Sequence, residues 1–297
     1  MAATAGTSPA PPASAPQKAG GLRNDPRVQG AGQLLGLAVV FLWCVFPFLW
    51  MVMVSFQGSV ALRDANIFSG PFTTTNYVRV FEEGFMWNLG NSIFVAGTTT
   101  VISILVAALA AYAIARLPIK FKFTILAGTL VATVFPPVSL VPPLFVGFNA
   151  LGFLNTYQAM IIPYVALTLP LSIFILTTFF ATIPKEMEEA AKVDGATPMQ
   201  AFLRVVVPLA APGVFAAAIL VFVYAVNEYL IAFSLASGDP SVQTVTVAIA
   251  TLDRVGFEIP IGPITAASTI VSIPLIIFAL AAQRWIVSGL TAGGVKG

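Results

Sequence analysis

Six long apolar runs dominate this sequence: Leu34 to Ser55, Ser92 to Ala115, Phe123 to Phe145, Gln158 to Phe180, Gly213 to Leu235 and Ile264 to Gln283. A helix rising about 1.5 Å per residue needs about twenty such residues to cross a hydrocarbon layer about 30 Å thick, and every run qualifies. The composition leaves little alternative. Of 297 residues 58% are hydrophobic and 9% charged, and so few charges cannot coat a soluble globule, whereas a lipid-facing surface needs no such coat. The expected fold is therefore all-α and integral to a membrane, with six transmembrane helices. Leu34 to Ser55 is too long for a cleavable signal core and lacks a small-residue cleavage site, so it is expected to be retained as the first span.

Orientation follows from the basic residues, which accumulate on the cytoplasmic side. Six spans place both termini together, and with them fall Lys18, Arg23, Arg27, Arg116, Lys120, Lys122, Lys185, Lys192, Arg204, Arg284 and Lys296. Only Arg63, Arg79 and Arg254 lie opposite, so both termini are expected in the cytoplasm. Residues 1–30, rich in Ala, Pro, Ser and Gly, have the composition of a disordered tail, and 31–297 form the membrane domain. Prolines inside the spans (Pro47, Pro136, Pro137, Pro163, Pro170, Pro274) predict kinks within a packed bundle. Two external segments are long enough to meet a partner: 57–90, with Tyr77, Phe81, Phe85 and Trp87, and about 237–260, with Asp239, Asp253, Arg254 and Glu258.

Several chemistries are excluded. The chain has no histidine, which removes histidine-based nucleophilic catalysis, histidine metal sites and histidine proton relays. The single cysteine, Cys44, cannot form a disulfide within the chain. No G-x-x-x-x-G-K-[ST] phosphate loop is present, so hydrolysis of ATP by that device has to come from elsewhere. The chain is not expected to be an enzyme, to hold a metal, or to bind a nucleic acid.

The stretch Thr182 to Pro212 is built as helix, break and helix. Pro184 suits a first helical turn, Glu186, Glu188 and Glu189 favour the positive end of the helix dipole, and Gly195 suits a left-handed stop. Thr197 and Pro198 then read as N-cap and first residue of a new helix. On the first helix Met187, Ala190, Ala191 and Asp194 share one face, and the two alanines let another backbone approach closely, as a docking surface requires.

Glu189-Ala190-Ala191, Gly195, and then Val205, Val207 and Pro208 resemble the EAA loop of permease subunits of ATP-binding-cassette importers, with valines where that family usually has Ile and Leu. The segment Asp194 to Pro198 followed by Ala201-Phe202, and the ending Gln283 to Gly297, are similar to the carbohydrate branch, maltose and trehalose systems in particular. The resemblance implies the type I importer permease fold in a bacterial-type plasma membrane. It also implies a division of labour among partners: an external sugar-binding protein, a second homologous permease, and a dimer of ATPase subunits that bind ATP and Mg while this chain binds no cofactor. By the same resemblance Glu189, Ala190, Ala191, Asp194, Gly195 and Pro208 couple to the ATPase, and Gly293, Gly294 and Lys296 of the tail touch it.

Inside the fifth run lie Asn227 and Glu228, flanked by Tyr224 and Tyr229. An ionisable group in hydrocarbon faces a cavity, a partner or a pathway by default. Tyr224, Asn227 and Glu228 are thus candidates for a sugar translocation path, with a buried contact to the partner permease as the competing role. An ion-coupled secondary transporter is the rival class, but the sequence shows neither an internal repeat nor a second intramembrane acid. An importer of another substrate, such as glycerol phosphate, would want a basic pocket that no span centre here supplies.

Overall fold

The computed structural model describes residues 26–58, 71–252 and 260–292. It resolves the chain into helices and no strand among those residues: α1 (Pro26–Ser55), α2 (Thr75–Glu82), α3 (Phe85–Arg116), α4 (Lys122–Thr133), α5 (Val141–Ala150), α6 (Tyr157–Thr182), α7 (Lys185–Val193), α8 (Pro198–Ala201), α9 (Val207–Leu209), α10 (Ala211–Asn227), α11 (Leu230–Ala236), α12 (Val245–Thr251) and α13 (Ile261–Ala292). Two units divide at Trp50, and the second, from Met51 onward, holds every site described below. In the first, α1 begins at Pro26, so residues 26–30 are helical where the sequence suggested a tail; proline, which has no N–H, is at home in a first turn whose N–H groups have no partner within the helix.

Among the described residues, four helices are long and apolar enough to cross a membrane: Gln33–Ser55, Phe85–Arg116, Tyr157–Thr182 and Ile261–Gln283. Two bent pairs, Lys122–Thr133 with Pro137–Ala150 at 87° and Pro198–Leu209 with Ala211–Asn227 at 78°, raise the count to six if each is one span. The third apolar run is thus bent where Pro136 and Pro137 predicted a kink; the 78° bend lies at Ala210, ahead of the fifth run, which is interrupted separately at a point that no proline marks. In the third, Pro136 and Pro137 both lack an N–H, and the chain turns through a short 3₁₀ segment, Pro137–Leu140, before α5. In the fifth, α10 stops at Asn227, and α11 starts only at Leu230.

The second unit is organised around α3 and α6, which pack along one another more extensively than any other pair. Small residues make this possible: α3 buries Ser92, Ala96, Thr99, Ser103, Ala107 and Ala111, three or four residues apart. The facing side of α6 buries Met160, Tyr164, Thr168, Ser172, Leu176 and Phe180. Without a hydrophobic drive inside lipid, such close backbone approach and hydrogen bonds between helices supply the adhesion, as where Ser103 Oγ and Thr168 Oγ1 meet at 2.9 Å. Helix α10 packs on both and on α13, and at Gly213 it comes so close to the Phe179 ring that an added Cβ would overlap it.

Candidate functional site: the α7 docking helix and the break at Glu228

Helix α7 follows α6 after only Ile183 and Pro184. It ends as the glycine predicted: Gly195 has φ +89°, its N–H donates to the Lys192 carbonyl at 3.1 Å, and the Ala196 N–H donates to the Ala191 carbonyl at 3.0 Å. These are the paired bonds of a Schellman stop, which satisfies the last orphan carbonyls. The restart is also as expected, and stronger. Thr197 Oγ1 accepts from the Gln200 N–H at 3.3 Å while Gln200 Oε1 accepts from the Thr197 N–H at 2.9 Å, a complete capping box, with Pro198 opening α8.

Between α8 and α9 the backbone widens into a π-turn, Phe202–Val206, closed by the Val207 N–H on the Phe202 carbonyl. Pro208 explains the irregularity, because it has no N–H to offer the preceding turn. Pro208 itself is exposed. Phe202 points inward, with its ring centroid 4.6 Å from that of Tyr112 and 6.0 Å from Phe180. It pins the loop to the ends of α3 and α6.

Of the candidate coupling residues, those on α7 and at its stop lie mostly outward; Pro208 stands apart from them, on α9. Glu189, Ala190, Asp194 and Gly195 are exposed, Ala191 is half-buried, and Met187 on the same face is 48% exposed. The neighbouring carboxylate behaves differently. Glu188 is buried at 5% exposure, where Oε1 accepts from the Tyr112 hydroxyl at 2.7 Å and lies 2.7 Å from Lys192 Nζ. Its Oε2 lies 3.2 Å from Arg116 Nε, and Arg116 Nη2 donates to the Ile183 carbonyl at 2.9 Å. Burial by itself would raise the Glu188 pKa, but the Lys192 and Tyr112 hydrogen bonds and the Lys192 and Arg116 charges outweigh it and hold the carboxyl below its ordinary range. Removing one member of such a pair leaves the other charge buried and costs about 3–5 kcal/mol. Sequence reasoning used Glu188 only as a dipole partner and Arg116 only as a topological charge; their one available signal was Tyr112 and Arg116, one turn apart at the end of an apolar run.

The second site is the helix break. Glu228 adopts an extended backbone, φ −70° and ψ 127°, and its own carboxylate takes over the start of α11: Oε1 accepts from the Ile231 N–H at 2.9 Å and Oε2 from the Ala232 N–H at 3.1 Å. A carboxylate at the positive end of a helix is favourable, which is how a polar side chain ends one helix and begins another inside an apolar run. Tyr164 of α6 donates its hydroxyl to Oε2 at 2.6 Å, and Thr246 Oγ1 donates to the Glu228 carbonyl at 2.9 Å. Tyr224 and Tyr229 therefore do not share one continuous helix. The residues left facing outward are Asn227, whose amide donates to the Val223 carbonyl at 2.8 Å, Tyr224 at 37% and Tyr229 at 40% exposure, the last stacked on Phe233 at 5.3 Å.

The aromatics of the 57–90 segment also divide. Trp87 Nε1 donates to the Ser241 carbonyl at 2.7 Å, and Asn91 Nδ2 donates to the carbonyls of Ser241 at 2.9 Å and Gln243 at 3.0 Å. Asn88 adds a bond to Gln243 at 3.1 Å, and Ser92 Oγ accepts from the Val245 N–H at 2.8 Å. The 241–245 segment is thus latched to the first two turns of α3. Phe85 is buried, and Tyr77 hydrogen-bonds to Ser55 at 2.7 Å. Gly293, Gly294, Lys296, Asp253, Arg254 and Glu258 lie outside the described residues.

Long apolar helices that carry a short helix with an exposed outward face set the frame, and the comparison with known proteins identifies the class. Residues 103–292 match the family described as "Binding-protein-dependent transport system inner membrane component", and the chain belongs to that family. It is 42% identical over 267 residues to the trehalose/maltose transport system permease protein MalG of Thermococcus litoralis, covering 89% of this chain and 96% of that relative. It is 43% identical over 257 residues to the trehalose transport system permease protein SugB of Mycobacterium tuberculosis, covering 86% and 93%. Among solved structures, a bacterial ABC transporter involved in the import of the acidic polysaccharide alginate superposes with a TM-score of 0.71 over 87% of this chain and 96% of that one, at 22% identity, which speaks for the fold.

Proposed function

We propose that the chain is one of two homologous permease subunits of an ATP-driven sugar importer, with six spans, both termini in the cytoplasm, and α7 as its contact with an ATPase dimer. The observation that carries the reading is the outward face of α7, where Glu189, Ala190, Asp194 and Gly195 stay exposed while Glu188 beside them is buried. A helix anchored on one side and bare on the other is suited to docking, and an ATP-driven chain that itself has no phosphate loop would take its energy from a partner through such an element. The two relatives named for trehalose and maltose support a di- or oligosaccharide substrate, delivered by an external binding protein. Asn227, Tyr224 and Tyr229 supply an amide and ring faces suited to a sugar. The Glu228 carboxylate, already taken by three donors, shapes the path by fixing the break. Gly293, Gly294 and Lys296 are assigned to the same ATPase contact by resemblance.

The test is purification of the tagged chain in mild detergent, followed by identification of what accompanies it in stoichiometric amount. A phosphate-loop ATPase and a second permease are the expected companions, and reconstituted with binding protein they should take up disaccharide only with ATP. A chain that purifies alone and transports without ATP would refute the reading.

A further inference from the structure

We infer that Glu188 is a positioning residue that makes the docking helix α7 a rigid appendage of α3, so that force applied to α7 is delivered to α3 and not only to α6, its neighbour in sequence. The inference rests on the reading of α7 as the ATPase contact. The covalent link from α6 is short but weakly constraining: Ile183 and Pro184 are both extended, with ψ 127° and 136°, and no helical hydrogen bonds carry α6 into α7. That link alone would let α7 swivel, and apart from α3 the neighbours that steady it are the short segments that follow it, Pro198–Ala201 and Phe202–Val206.

Three contacts from one turn of α3 remove that freedom. Arg116 Nη2 grips the Ile183 carbonyl at 2.9 Å, at the start of the link. Arg116 Nε, 3.2 Å from Oε2, and the Tyr112 hydroxyl, 2.7 Å from Oε1, hold Glu188 in the first turn of α7. Glu188 in turn holds Lys192 one turn further along α7, at 2.7 Å. Side chains of Arg116 and Glu188 are 7% and 6% exposed, so the pair is shielded from water and cannot exchange partners with solvent at low cost. Nothing in the outward face is used: Glu189, Ala190 and Gly195 remain free for the partner. The division between a gripping face and a docking face is what a lever needs. The helix gripped is the one that packs most extensively on α6 and also contacts α10, so displacement of its end moves the bundle rather than a loop.

A purely structural pair would affect folding and assembly, whereas a positioning pair affects the ratio of transport to ATP hydrolysis. The experiment uses the complete complex in proteoliposomes with its binding protein and sugar, comparing wild type, Glu188→Gln, Tyr112→Phe and the double variant. Glu188→Gln keeps the side-chain size but loses the charge facing Arg116 and Lys192. The expected result is ATPase recovered with the subunit as in wild type and sugar transported per ATP lowered on the order of fivefold or more. Tyr112→Phe, which keeps its ring against Phe202, should lower the ratio less, and the double variant should be no worse than Glu188→Gln, because both act through one carboxylate. An unchanged ratio in Glu188→Gln, or ATPase and uptake lost in parallel, would overturn the inference. If Glu188→Gln fails to insert, an unchanged ratio in Tyr112→Phe overturns it equally. Absence of ATP-driven uptake in the wild type would overturn the importer reading itself, and the clamp with it.

Discussion

Gly195 provides a sharp test of why helix α7 ends where it does. Its φ of +89° is a conformation that side chains with a Cβ resist, yet a Cβ built there meets nothing within 4 Å. The penalty for substitution is therefore backbone strain alone, about 1–2 kcal/mol for Ala and less for Asn, whose short amide tolerates the left-handed region. A difference of about 1.4 kcal/mol is tenfold in the equilibrium between a stopped and a frayed helix end. Pro is different in kind: it cannot reach positive φ, and it deletes the N–H that meets the Lys192 carbonyl. Sugar transported per ATP by the reconstituted complex should follow the order Gly, Asn, Ala, Pro, with Pro uncoupled. The contrast that decides the matter is Asn against Ala, because Asn is the larger residue but the better left-handed one. If Ala outperforms Asn, size at the partner surface governs Gly195, and the backbone argument is refuted.

Other consequences follow from the packing and the electrostatics. Gly213→Ala should destabilise the subunit by about 1–3 kcal/mol through overlap with the Phe179 ring, seen as a lower Tm in detergent, and Phe179→Leu in the same chain should recover part of it. Asn91→Ala leaves the Ser241 and Gln243 carbonyls and the Tyr157 hydroxyl short of a partner, so amide exchange in the 241–245 segment should accelerate while exchange in α7 stays as in wild type. The Glu188 carboxyl, held below its ordinary value of 4.5, contributes stability that is complete above that pH and is lost only as pH falls through the lower folded value. Coupling should accordingly be flat from neutral pH down to about 4.5, and a decline beginning well above it would show that Glu188 is not the charged partner described here.

How much of this was legible in the sequence depends on the kind of interaction. Apolar length reveals burial in lipid, so the runs ending at Ser55, Ala115, Phe180 and Gln283 correspond to long helices. Local backbone chemistry is equally readable, which is why Gly195 and Thr197-Pro198 stand where the stop and restart were expected. Hydropathy could not reveal the break at Glu228, because Leu230–Ala236 continues the apolar run and only the fold brings Tyr164 and Thr246 to the carboxylate. Nor could it separate Glu188 from Glu189. Adjacent residues of one type on a helix differ by about 100° in direction, and which of them turns inward is decided by Arg116 and Tyr112, more than seventy residues earlier in the chain.

Helix α3 links these sites physically. It runs unbroken from Phe85 to Arg116, about 48 Å at 32 residues. At one end Trp87, Asn88, Asn91 and Ser92 hold the 241–245 segment; at the other Tyr112 and Arg116 hold α7. Both attachments are polar and specific, and the stretch between them is a face of small residues fitted to α6. Packed interiors are stiff and transmit displacement instead of absorbing it. With α7 as the proposed ATPase contact, a push there is expected to reach the latched 241–245 segment and, beside it, the Glu228 break, whose Thr246 bond belongs to the helix that the segment leads into. The α10–α11 junction interrupts the helical backbone on that route, so it is where a change at α7 should appear as a change in the exposure of Asn227, Tyr224 and Tyr229.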